Sequence, residues 1–245
     1  MLVRPSALLG TILVGLLAVP NIAQADMPYP AIWSGFYTGI HGGYGWGETK
    51  GTSFDRFGAP TSPCVPGPGS VCGNDVEGPF VGAQVGYNFR VAPSFLLGVE
   101  ADISGGAIDG TSIGCNATGC SQGDVNIDFL GTLRGRVGFV QGSWLLYATG
   151  GWAFGHAETD RTILTGGLAG RVASDSGWEN GWVVGGGVEW AFLPGYSLKF
   201  EYQRLEFGDI TREFDYSPGN AGAFRRIESE LTIDTVRIGL NARLN

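Results

Sequence analysis

The stretch Val81-Gly82-Ala83-Gln84-Val85-Gly86-Tyr87-Asn88-Phe89 alternates strictly, with apolar side chains at the odd positions and glycine or amides between them. Successive side chains of an extended chain point to opposite faces, so this pattern reads as a strand with one apolar face. The pattern recurs along the chain. From Phe36 one face reads Phe36, Thr38, Ile40, Gly42, Tyr44, Trp46; a third segment carries Leu97, Val99, Ala101 and Ile103 against Gly98, Glu100, Asp102 and Ser104. A fourth carries Ile127, Phe129, Leu133, Val137 and Phe139 against Asp128, Thr132, Arg134 and Arg136, and a fifth Trp144, Leu146, Ala148, Trp152 and Phe154. Trp182, Val184, Val188 and Trp190, then Tyr196, Leu198, Phe200 and Tyr202, then Val236, Ile238 and Leu240 complete about eight strands. Each is near the roughly 9–11 residues that a tilted strand needs to cross a bilayer.

The connections alternate in length. Short turns stand at Val91–Ser94, Gln141–Ser143 and Leu193–Gly195, whereas polar, glycine-rich stretches fill about 48–78, 107–125, 158–177 and 209–229. Tight hairpins at one end and long loops at the other are the pattern of an up-and-down antiparallel β-barrel that crosses a membrane, with periplasmic turns and four extracellular loops. A secreted β-sandwich also alternates, but its second face should be wet and richly charged. Here that face is mostly glycine with Asn, Thr and a few charges, while Tyr44, Trp46, Trp144, Trp178 and Tyr196 gather near strand ends as interfacial aromatics do.

The first 25 residues read as a cleaved export signal, with Arg4, an uncharged run from Ala7 to Val19, and small residues at Ala23-Gln24-Ala25 before Asp26. The apolar run is too short to cross about 30 Å of hydrocarbon comfortably as a helix, which disfavours an uncleaved anchor. Cleavage between Ala25 and Asp26 leaves one domain, residues 26–245.

Forty-three glycines weigh against a helical fold, since each interior glycine costs a helix about 1 kcal/mol relative to alanine. The chain carries 23 acidic and 15 basic residues, a formal charge of −8 that becomes −9 once Arg4 leaves. With no basic run, nucleic acid is excluded as a partner. Lys50 and Lys199 are the only lysines, so something other than water faces much of the surface.

The segments Trp33-Ser34-Gly35-Phe36-Tyr37-Thr38-Gly39, Gly43-Tyr44-Gly45-Trp46-Gly47, Gly82–Asn88, Leu146–Gly151 and Val236–Asn241 resemble strands of the alphaproteobacterial small outer-membrane barrel proteins, in the opacity and OmpA-like β-barrel superfamily. The resemblance covers nearly all of the mature chain. It implies an eight-stranded barrel contacting outer-membrane lipid and lipopolysaccharide, inserted by the outer-membrane assembly machinery, serving as a surface or structural protein and sometimes as a porin. Such chains usually end in an aromatic residue; this one ends Arg243-Leu244-Asn245, with Leu244 in the aromatic's place.

On the faces opposite the apolar ones stand Glu100, Asp102, Arg134, Arg136, Glu189, Lys199, Glu201 and Arg237, four acids and four bases near the short-turn ends or the C-terminus. Charges in a narrow lumen persist only if paired, so they read as an internal ion-pair layer that plugs the barrel; the alternative is a charge-lined narrow porin. Cys64, Cys72, Cys115 and Cys120 form an even set in an exported chain, and the local pairs Cys64 with Cys72 and Cys115 with Cys120 close the shortest loops. Their spacing does not favour a zinc site. His41 and His156 lack the adjacent serine a catalytic pair would need, so neither a catalytic residue nor a cofactor or metal site is expected. No motif names a ligand for the extracellular loops.

Overall fold

Period-two sequence becomes strand almost everywhere. The computed structural model describes residues 33–54, 57–58, 60–62, 75–116, 119–167, 169–215 and 224–244. Along them run β1 (Gly35–Phe54), β2 (Pro60–Ser62), β3 (Asp75–Ala92), β4 (Phe95–Asn116), β5 (Gly119–Gln141), β6 (Trp144–Ile163), β7 (Val172–Leu193), β8 (Tyr196–Asp215) and β9 (Phe224–Leu244). All neighbours are antiparallel, and β1 pairs both with β3 and with β9, from Phe36 opposite Leu244 to Phe54 opposite Arg226. The eight long strands therefore close into a ring in which each is paired on both sides, the arrangement that satisfies the backbone where water is absent.

Among the described residues nine strands stand where about eight are expected, because three residues of the first long connection form β2 against the far end of β1. So short a strand leaves no alternation for the sequence to display. The long strands also span 18–23 residues, about twice the expected length. Much of what reads as loop continues the ladder: β4 and β5 stay paired out to Asn116 opposite Gly119. Glycine and polar residues pair as well as apolar ones there; only the apolar outer face stops.

The short turns shrink to Pro93–Ser94, Gly142–Ser143 and Pro194–Gly195. Gly142 (φ 59°) and Gly195 (φ 81°) take backbone conformations that side-chain-bearing residues avoid. Ser94, Ser143 and Gly195 each lend a carbonyl to the next strand, at 2.8, 2.9 and 2.8 Å, which knits this end shut.

Outside, Ile40, Val81, Val85, Leu133, Leu146, Phe200 and Ile238 are all exposed, a continuous apolar wall far beyond what a water-soluble surface tolerates. Aromatic groups bound it. Near the short turns Trp144 stacks on Trp190 at 5.8 Å, and near the other end Trp152, Phe154 and Trp178 cluster at 5.2–6.5 Å. The ten steps from Trp144 to Phe154, at about 3.3 Å each and a tilt of about 40°, give a band about 25 Å tall, the height of a transmembrane barrel's apolar belt.

Inside, the filling is layered. Trp33, Leu96, Val140, Leu145 and Tyr147 form an apolar floor at the short-turn end; above a charged layer a larger cluster includes Phe80, Ile108, Ile127, Phe207, Ile210 and Ile233. Irregularities in β4, β5 and β8 shift the register between Gly105 and Ile108, Ile127 and Phe129, and Phe207 and Ile210. Such a shift inserts a residue and moves the next side chain to the opposite face. Consequently Ile127 points inward and is buried, not outward beside Phe129 as strict alternation places it, and Asp128 is exposed.

Candidate functional site

The charged layer follows from period two on five strands. On β4, Glu100 and Asp102 lie between outward Val99, Ala101 and Ile103; on β5, Arg134 and Arg136 lie between outward Leu133 and Val137. Glu189 on β7, Lys199 and Glu201 on β8 and Arg237 on β9 obey the same parity. The register sets Glu100 opposite Arg134, Glu189 opposite Lys199, and Glu201 opposite Arg237. All eight are buried, Lys199 and Glu201 to 0% exposure.

The structure brings the eight together as one network. Arg134 is its centre, bridging Glu100, Asp102 (2.8 Å) and Glu201 (3.2 Å). Lys199 reaches across the lumen to Glu100 (3.0 Å) and approaches Glu201 two residues along its own strand (3.8 Å) instead of bonding its register partner. Arg237 binds Asp102 at 3.2 Å, and Arg136 binds Glu189 at 3.3 Å and approaches Glu100 at 3.7 Å. Four positive and four negative groups give the layer a net charge of zero.

Neutral partners complete it, and the sequence did not reveal them. The Tyr37 and Tyr147 hydroxyls donate to Glu100 and Glu201, each at 2.6 Å, while Asn241 donates to Glu189 at 2.8 Å and Asn88 accepts from Arg136 at 2.9 Å. The Arg136 guanidinium lies between the two tyrosine rings, 4.8 and 5.2 Å from their centroids, a cation–π arrangement, and its Nη2 has no hydrogen-bond partner among the described residues. Each tyrosine rests over a glycine: a Cβ at Gly86 would lie 2.3–2.7 Å from Tyr37, and one at Gly187 2.6 Å from the Tyr147 oxygen. An inward aromatic facing an inward glycine is the sequence signal that could have located these residues. Abundant glycine is thus the room the lumen side chains occupy.

Trp33, just before β1, is fully buried; its indole nitrogen donates to the Gly142 carbonyl at 3.2 Å, and Arg243 lies 5.7 Å from its ring. The chain before β1 therefore helps close the short-turn end. His41 is a lumen residue held by Gln84 and by Ser104 at 2.8 Å, whereas His156 is on the outer wall, 2.9 Å from Asp128 and edge-on to Trp178. Cys115 and Cys120 are direct register partners at the tip of the β4–β5 hairpin. Cys64, Cys72 and the cleavage position Ala25–Asp26 lie outside the described residues.

Burying eight charges is costly, and their mutual pairing is what makes it tolerable. Glu100→Ala leaves Arg134 and Lys199 short of a partner and is expected to lower stability by about 3–5 kcal/mol in urea unfolding from lipid vesicles. Adding Arg134→Met should recover part of that loss. A Glu100→Ala effect within about 0.5 kcal/mol would mean that water already solvates the layer.

Residues 9–243 match the family model described as outer membrane protein beta-barrel domain. The chain is 30% identical over 243 residues to the 31 kDa outer-membrane immunogenic protein of Brucella melitensis, covering 96% of this chain and 92% of that one. It is 25% identical to the 22 kDa outer membrane protein of Rhizobium leguminosarum, over 90% of this chain and 82% of that one. Among solved structures it is similar in fold to the outer membrane protein OprG from Pseudomonas aeruginosa, with a TM-score of 0.51 at 12% identity, covering 86% of this chain and 98% of that one.

Proposed function

Because the chain belongs to the outer membrane protein β-barrel domain family, and so resides in the outer membrane in contact with its lipids, we propose that it works there as a closed barrel, a structural and surface-presenting protein rather than a conduit. The observation that carries this reading is the filling of the lumen from the short-turn end up to the second apolar cluster. An apolar floor around Trp33, a charge-neutral ion-pair layer, and a second apolar cluster follow one another along its axis. Eight strands enclose a bore that side chains just fill, and over these layers they fill it.

The same architecture carries the strands past the apolar belt on the side of the long connections, so paired β-structure stands clear of the membrane and displays the loops. The Brucella relative is named for its immunogenicity, and display at the cell surface fits this chain equally. Lipopolysaccharide against the outer half of the belt and the assembly machinery that inserts such barrels are the partners this reading entails. The reading is non-enzymatic: His41 is engaged by lumen amides and hydroxyls, and His156 with Asp128 and Trp178 forms a rim cluster rather than a nucleophile–base pair.

For the β4–β5 tip we propose a disulfide between Cys115 and Cys120. Directly opposed residues of an antiparallel pair have Cα atoms about 4.5–5.5 Å apart, within the span a disulfide bridges. The register and the absence of a free thiol among the described residues support it. Non-reduced peptide mapping should recover Cys115 and Cys120 in one linked fragment; alkylation of both without reductant would contradict the bridge.

In planar bilayers the folded chain is expected to give no reproducible unitary openings. Regular openings whose selectivity changes in Arg134→Gln would favour the narrow-porin reading instead.

A further inference from the structure

Above the second apolar cluster the described residues leave the lumen partly open. A cavity of about 80 Å³ lies among the inner faces of β1, β5, β6, β8 and β9, on the side of the long connections. Its wall is largely apolar, including Val125, Ala157, Ile210 and Leu231; among the described residues its charged lining is Arg161 and Arg212, and Thr49, Thr159 and Ser229 add hydroxyls.

Arg212 is 9% exposed, so its guanidinium has left bulk water. Its Nη2 forms an ion pair with Glu179 at 2.6 Å and a long hydrogen bond to the Ala157 carbonyl at 3.4 Å. Its Nε makes no hydrogen bond among the described residues. A buried donor left unmade costs free energy that a bound acceptor recovers.

We propose that this vestibule binds a small aliphatic monocarboxylate, with its chain against the apolar wall and its carboxylate accepting from Arg212 Nε. The lining decides the class. A cation meets two guanidiniums, a sugar would leave most of its hydroxyls against the apolar wall despite Thr49, Thr159 and Ser229, and a second negative charge adds to the repulsion from the neighbouring Glu179. A monocarboxylate offers one charge-assisted acceptor and one apolar tail, which the site matches. Size limits the chain: 80 Å³ holds on the order of six water-sized probes at about 10–15 Å³ each, enough for about four to six carbons but not for a long acyl chain. Phe207 and Ile233 in the cluster beneath make the site a dead end. That feature rests on the closed-lumen reading, whereas binding itself does not.

The test uses the full mature chain folded in lipid nanodiscs, with methyl NMR signals of Ala157 and Ile210 followed during titration with hexanoate, acetate and hexanol, and empty nanodiscs correcting for partitioning. Hexanoate is expected to shift both signals saturably and to bind at least tenfold more tightly than acetate or hexanol. Arg212→Gln should bring hexanoate down to the affinity of hexanol, and Glu179→Gln, which frees the guanidinium, should strengthen hexanoate severalfold. Ala157→Phe should abolish both, and gel migration with and without heating confirms that each variant is folded. No saturable shift, equal affinity for hexanoate and hexanol, or an unchanged hexanoate affinity in folded Arg212→Gln would overturn the proposal. Hexanoate passage into sealed vesicles, with binding intact, would overturn the dead end and the closed lumen alone.

Discussion

A ring of eight strands leaves a bore only as wide as the side chains pointing into it, so a charge that faces inward must find its opposite there or unfold the ring. That single constraint organises this molecule. Arg134 sits where it can meet Glu100, Asp102 and Glu201 together, and Lys199 gives up its register partner to reach two of the same carboxylates. The tyrosines over Gly86 and Gly187 add a hydrogen bond each to Glu100 and Glu201, and those two positions must be glycine because the rings need the space. Outside, the same strands present an apolar wall that only lipid can cover, so one alternating pattern fixes the inner network and the membrane address together.

Three of the register shifts add a second device. Each lies above the charged layer and ends on an isoleucine, Ile108, Ile127 or Ile210, that is turned into the lumen. They build the upper apolar cluster at the height where the outer belt gives way to its aromatic border. Below it, Trp33 closes the opposite end from outside the strand sequence. The ion-pair layer is thereby sealed between two apolar layers, which strengthens its electrostatics and keeps water from its carboxylates.

Much of this was legible from residues alone. Period two assigned the inward and outward faces of most strands, and the eight lumen charges could be named because parity and charge balance are both one-dimensional properties. The rest depends on what sequence parity cannot carry. A register shift reverses the faces beyond it, which is why Ile127 was placed outward and is found inside. Tyr37 and Tyr147 look like ordinary strand aromatics until the register sets them beside Gly86 and Gly187, and the pairing of Lys199 with Glu100 crosses the lumen between strands that are not neighbours. The strand lengths were underestimated because composition marks the end of the apolar belt, not the end of the hydrogen-bonded ladder.

The central claim is that the ion-pair layer is dry and closed. Water-edited solid-state NMR of the chain in lipid bilayers measures it directly, by comparing transfer from bulk water to the Lys199 ammonium and the Arg134 guanidinium with transfer to the exposed Lys50. A closed layer predicts slow build-up at Lys199 and Arg134 against fast build-up at Lys50. Equal build-up at all three would show a water-filled lumen and contradict the account.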